Sequence, residues 1–123
     1  MPTTIAAPGA LNPTGLSIAF MLPGQPLANA LVGRYIFPRA GTLSSNFPSC
    51  YAGCDIAPTL SYTIGITKNG VSIGTITFAS GAQVGTFSGA GASVVAGDIL
   101  ELTGQSTTDA TISSISVTFQ GTF

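Results

Sequence analysis

The chain has 123 residues and a net charge of -1, with 45% hydrophobic and only 6% charged residues, where an average soluble protein carries about 25% charged. That length makes one domain, and such a domain buries roughly two-thirds of its unfolded surface, so it holds a core without metal or disulfide. Three cations, Arg34, Arg39 and Lys68, cannot follow a phosphate backbone, no apolar run approaches the roughly 18 residues of a membrane helix, and the N-terminus lacks the basic and apolar regions of a secretory signal, so nucleic-acid, membrane and secretory readings fall away.

Residues 1–14 hold Pro2, Pro8 and Pro13 with Gly9 among small residues. Each proline lacks a donor and fixes φ, so no regular strand or helix is expected there. Two readings stay open: a tail, or an extended arm lying on a neighbouring subunit, in which Ile5 and Leu11 anchor the contact. Residues 15–123 are expected to form the folded domain.

Leu16, Ile18, Phe20 and Leu22 alternate with Ser17, Ala19 and Met21, the pattern of a half-buried strand, and the run 23–26, Pro-Gly-Gln-Pro, ends it in a turn. Residues 30–37 read as a strand with apolar side chains on both faces, hence covered on both sides. Its Arg34 lays an apolar stem on the surface and keeps its head in water. A short strand is predicted over 41–45 and a loop over 46–58, which contains Pro48, Gly53, Pro58 and both cysteines.

The stretch 60–81 is two β-rich runs around Lys68-Asn69-Gly70, a strong hairpin signal. A two-residue type I′ turn would pair Ile66 with Ile73 and leave Ile76 and Phe78 on the opposite face from Tyr62 and Ile64. A three-residue loop with Gly70 as a bulge would pair Leu60 with Phe78, Tyr62 with Ile76, Ile64 with Gly74 and Gly65 with Ile73. It gathers Leu60, Tyr62, Ile64, Ile66, Ile76 and Phe78 on one face, and is the register predicted.

Short strands follow over 83–88, 93–95 and 99–103; alternation in the last puts Glu101 on the outward side with Ile99, so either one of the two is misassigned or the strand twists at an edge. The final strand spans 110–119, with Ile115, Val117 and Phe119 inward. Ile112 is out of phase with them, so a bulge is expected near Ser113-Ser114. About eight short strands with regular turn signals and no helical spacing predict an all-β, single-domain antiparallel sandwich, a jelly roll first among the sandwiches.

Chemistry is sparse. There is no histidine, which removes the usual general base and the commonest metal ligand. Asp98 and Asp109 stand at ordinary turn positions, and no run of acids suggests a calcium loop. No catalytic, metal-binding or cofactor-binding residue is therefore assigned. Cys50 and Cys54 are too few for zinc and one residue too far apart for a Cys-x-x-Cys redox pair. Free thiols, a small internal disulfide loop or a cross-link between subunits remain, the first two preferred. Tyr51 is the one candidate for a glycan contact, against the plainer reading of loop packing. With so few charges the repulsion that keeps proteins apart is weak, so the surface is expected to be covered by copies of this chain or by another protein.

Several pieces, in order and spacing, resemble a β-domain widespread in the virion proteins of tailed bacteriophages: Gly33-Arg34-Tyr35-Ile36-Phe37-Pro38-Arg39-Ala40, Ala57-Pro58-Thr59, Lys68-Asn69-Gly70 followed by Ile73-Gly74-Thr75-Ile76-Thr77-Phe78-Ala79-Ser80-Gly81, Ala96-Gly97-Asp98-Ile99-Leu100, Thr108-Asp109-Ala110-Thr111-Ile112 and Ser116-Val117-Thr118-Phe119-Gln120-Gly121-Thr122. The resemblance spans about residues 15–123 and does not include the cysteine segment. It implies a β-sandwich of phage fibres, spikes or head-decorating proteins, usually a homotrimer, assembled in the host cytoplasm and carried in the virion. A small module with an arm and little charge fits a capsid decoration (cement) protein on the major capsid protein or another virion protein. The alternative is a fibre or spike tip, or another tail component, that recognises a host-surface glycan. A hydrolase is disfavoured by the missing histidine.

Overall fold

The computed structural model describes residues 15–123, so Ile5, Leu11 and the expected arm lie outside the described residues. The described residues form ten strands and no helix: β1 (Gly15–Leu22), β2 (Leu31–Ile36), β3 (Gly41–Leu43), β4 (Tyr51–Ile56), β5 (Tyr62–Lys68), β6 (Val71–Phe78), β7 (Thr86–Ser88), β8 (Ala92–Val94), β9 (Ile99–Gly104) and β10 (Ser113–Thr122). All pairings are antiparallel. One sheet runs β1-β10-β3-β8 with β4 also on β10, and the other runs β2-β9-β5-β6-β7.

The pairing is nested. β5 pairs β6 across the central turn, β3 pairs β8, β2 pairs β9, and β1 pairs β10. β3 and β4 lie end to end along the same edge of β10, Thr42 opposite Thr122 and Tyr51 to Ile56 opposite Thr118 to Ser113. They are one strand interrupted by an excursion through residues 44–50. Val84 bridges Gly53 and β8 continues along β3, while β7 between them pairs β6 of the other sheet. The strands among the described residues number ten, against about eight expected from sequence.

The central hairpin differs from the prediction in register and agrees with it in face. Asn69 and Gly70 have φ of 52° and 84°, the two positive angles of a type I′ turn, with Lys68 opposite Val71. Carried on unbroken, that turn would send Ile76 and Phe78 to the wrong face. Instead the ladder shifts: Thr67 faces Ser72 but Ile66 faces Gly74, which leaves Ile73 as an extra residue. Beyond this bulge Ile64 faces Ile76, Gly65 faces Thr75 and Tyr62 faces Phe78. Tyr62, Ile64, Ile66, Ile76 and Phe78 are all buried, whereas Leu60 lies before β5 and is 72% exposed. The core face wins because five large side chains, each worth about 1.5–3 kcal/mol when buried, outweigh the cost of one bulge.

A second shift, between Leu31 and Gly33, explains β2. Val32 is buried, but Leu31 and Ile36 are each more than half exposed. The apolar residues on both faces come from the bulge, and β2 is an edge strand rather than one covered on both sides. The predicted loop over 46–58 contains strand β4, whose inward residues Ala52 and Cys54 are too small to make a visible alternation. At the last strand Ile112 is fully buried and Ser114 has φ of 57°, so the break expected near Ser113-Ser114 is present as a left-handed residue, while the ladder to β4 resumes in register at Ile115 opposite Cys54.

Buried residues of both sheets make one core, from Leu16 and Ile18 on β1 through Leu100 and Leu102 on β9 to Ile115, Val117 and Phe119 on β10. Phe47, from the excursion between β3 and β4, enters it and meets Phe87 and Phe119 at 6.0 and 5.8 Å, spacing suited to edge-on aromatic packing.

Candidate functional surfaces

Alternation sets what each sheet shows outward. On the β1 sheet, Met21, Ser116, Gly53 and Val84 form one cross-strand row, and Ala19, Thr118 and Tyr51 the next. Small residues occupy the middle, and Met21, Tyr51 and Val84 stand around them, each more than half exposed. Ser17 with Gln120, then Gly15, Thr122, Thr42 and Ser93, complete the face. Asp55, exposed at the next outward position of β4 after Gly53, is the charged side chain of this face among the described residues. On the β5 sheet, Thr63, Thr77 and Thr86 form a row, and Gly65 stands between Thr75 and Thr103. Its two charges, Arg34 and Glu101, are cross-strand partners, with Nε 3.4 Å from Oε2. Half-exposed pairs of this kind contribute about 0–1 kcal/mol. Glu101 and Ile99 do share the outward side, as alternation predicts, both half-buried.

The remaining cations and two of the acids are tied to local structure. Arg39 stacks 4.2 Å over the ring of Phe123, and Lys68 Nζ donates to the Ser93 carbonyl at 3.2 Å. Asn69 Nδ2 donates to Asp98 Oδ1, and Asn69 Oδ1 accepts from the Ile99 N–H, both at 2.9 Å. Asp98 also accepts from the Val95 N–H, and these bonds, that from Val95 first, hold its carboxyl below the usual carboxylate range.

Asp109 is the residue whose importance the sequence concealed. It reads there as a turn aspartate, yet it is the one buried charged side chain among the described residues. Its carboxylate accepts from the N–H groups of Thr59, Leu60, Thr111 and Ile112 at 2.9 to 3.3 Å, and from Thr111 Oγ1 at 2.7 Å. Burial is the largest single influence and acts to raise its pKa. The hydrogen bonds from Thr111, Leu60 and Ile112 together outweigh it, so the carboxyl titrates well below its ordinary value. The result is a knot joining the segment before β5 to the segment before β10. A clue was available: Asp-x-Thr followed by a buried Ile is the side-chain-to-backbone pattern of an Asx turn.

Cys50 and Cys54 are both free, Cys50 half-buried and Cys54 buried. Four residues along extended chain separate Cα atoms by about 13 Å, against an upper limit near 7 Å for a disulfide. The internal bridge allowed by the loop reading is therefore closed off by β4. Cys50 Sγ accepts from the Gln120 N–H at 3.3 Å, and Cys54 Sγ lies 3.8 Å from the carbonyls of Ala82 and Gln83. Burial pushes both thiols up, with the Gln120 bond opposing it at Cys50 and the Asp55 charge adding to it at Cys54.

Tyr51, predicted in a loop, begins β4 opposite Thr118 and is 63% exposed. It is not brought together with the cysteines, because Cys54 alternates to the inner face. The acids lie apart, Asp55 on β4, Asp98 in the turn before β9, Glu101 on β9 and Asp109 inside, and no group of three or more His, Cys, Asp or Glu that could hold a metal occurs among the described residues. Chemically the arrangement offers two broad faces of hydroxyls and small apolar groups. No protein-family model matches the sequence, and no curated protein matches it.

Proposed function

We propose that this chain is a structural protein of a tailed-phage virion, a capsid decoration protein that binds by burying its faces against copies of itself and against the major capsid protein or another virion protein. The observation that carries the reading is the scarcity of charge on both outer faces: rows of Thr, Ser, Gly and exposed Met, Tyr and Val, interrupted by one weak ion pair and by Asp55 on β4. Such faces cost less to dehydrate than charged ones, and apolar area removed from water contributes about 25 cal/mol per Å², so an interface of about 800 Å² per partner, repeated over a lattice, holds through multivalency. The nested strand pairing supports a jelly roll for the fold: a single ribbon of paired strands, closed at the β5-β6 turn and wrapped into two sheets. On this reading the protein is a homotrimer without enzymatic activity or cofactor.

Imaging of the particle tests it. A decoration protein is seen in hundreds of copies on the head, and a position in the tail in a few copies overturns the decoration role. The second reading, a tip that binds a host glycan, is favoured by the exposure of Tyr51 beside Thr118, because an aromatic ring with hydroxyl neighbours suits a sugar face. It predicts that Tyr51→Ala abolishes adsorption to the host while leaving particle stability unchanged.

A further inference from the structure

Sheet edges expose unpaired N–H and C=O groups, and proteins blunt them with short strands, bulges or charges. The edge strands here differ in this respect. β7 and β8 have three residues each. β2 carries the shift at Val32 and the charged Arg34. β1 has none of these devices. It is eight residues, GLSIAFML, without a charge or a proline. It pairs in unbroken register with β10, its partner among the described residues. Phe20 and Leu22 at its end point toward the core but are only partly buried there.

We propose that the outer edge of β1 is a pairing site for the same strand of a second copy, antiparallel about a two-fold axis centred on Ala19. In an isologous contact each residue meets its own counterpart or a mirror-related one. In this register Ala19 faces Ala19 of the second copy, Ile18 faces its Phe20, Leu16 its Leu22 and Ser17 its Met21. The core-facing rows then join apolar to apolar, which completes the burial of Phe20 and Leu22. Any charge near the axis would face itself, and β1 contains none. Pairing merges two five-stranded sheets into one. This contact rests on the self-association proposed above but is separate from the threefold contacts of that trimer, because a two-fold axis relates two copies and not three; it joins copies of different trimers, and its geometry does not require a particle.

The test uses the full chain. Sedimentation over a dilution series shows a concentration-dependent doubling of mass, and the alternate amides of residues 15–22 that point away from β10 are protected from hydrogen exchange in the paired form and lose that protection on dilution. Ala19→Lys places like charges directly opposite and weakens the dimer about fivefold, and since Ala19 is exposed its melting temperature is unchanged. Ala19→Cys forms a disulfide-linked dimer under mild oxidation, whereas Ser17→Cys does not, because position 17 meets Met21. The inference is overturned by a mass that never doubles with concentration, by β1 amides pointing away from β10 that are already protected in the unpaired form, or by equal cross-linking through positions 17 and 19. A monomer that still decorates the particle fully removes this contact and leaves the virion reading in place.

Discussion

At the scale of single residues, Asp109 is where physical chemistry is most concentrated. Its carboxyl binds a proton less tightly in the folded chain than in the unfolded one. Its stabilising effect is therefore complete above the unfolded pKa of about 4 and is lost progressively as pH falls below it. Asp109→Asn is expected to flatten the acid limb of a stability–pH curve measured by urea unfolding. Asp109→Ala should cost more than Asn at pH 7, roughly 1–3 kcal/mol for each buried N–H left unpaired, visible as a lower denaturation midpoint. The thiols make a second residue-scale prediction. Burial raises both pKa values, so the reactive thiolate is scarce at neutral pH. Maleimide should label both cysteines slowly in the native protein, Cys50 faster than the more buried Cys54, and both at once in denaturant, with no prior reduction needed. Neither result was readable from spacing alone. Asp at a turn has the same letter whether its carboxylate faces water or five donors, and the separation of two cysteines depends on whether the chain between them is coiled or extended.

At the scale of elements, the central hairpin shows how two local rules that disagree are reconciled. Asn-Gly dictates a two-residue turn, and the hydrophobic pattern dictates the opposite parity. The fold satisfies both by spending one residue, Ile73, on a bulge. Gly74, next to it, is the partner of Ile66 and forms the floor under Phe47: a Cβ there would lie 2.5 Å from that ring and 2.5 Å from the Ser88 carbonyl oxygen. The carbonyl belongs to a paired strand and cannot withdraw easily. Gly74→Ala should therefore destabilise by about 1–3 kcal/mol, measured by thermal unfolding, and Phe47→Leu in the same chain should recover part of the loss. Faces of strands with large side chains, such as β1 and β10, were legible from alternation. β4 was not, because its inward positions are Ala and Cys, Gly53 lies within it, and Pro48 and Pro58 flank it.

At the scale of the whole molecule, residues 15–123 close both sheets around one core. Deleting residues 1–14 should then leave circular dichroism and melting temperature unchanged. If the arm anchors the protein, the truncated chain should bind the particle at reduced occupancy; full occupancy would dispose of the anchoring role of Ile5 and Leu11. What the amino-acid sequence determined by itself was local and chemical. It set the all-strand class, the inward faces of the strong strands, the Asn-Gly turn and the scarcity of charge, because each depends on near neighbours or on a simple count. The tertiary structure alone decided the strand partners, the two register shifts, the strand hidden in the cysteine segment, the buried setting of Asp109 and the place of β1 at the edge of its sheet among the described residues. These depend on which distant segments lie side by side, and one extra residue in a strand is enough to reverse which side chains meet.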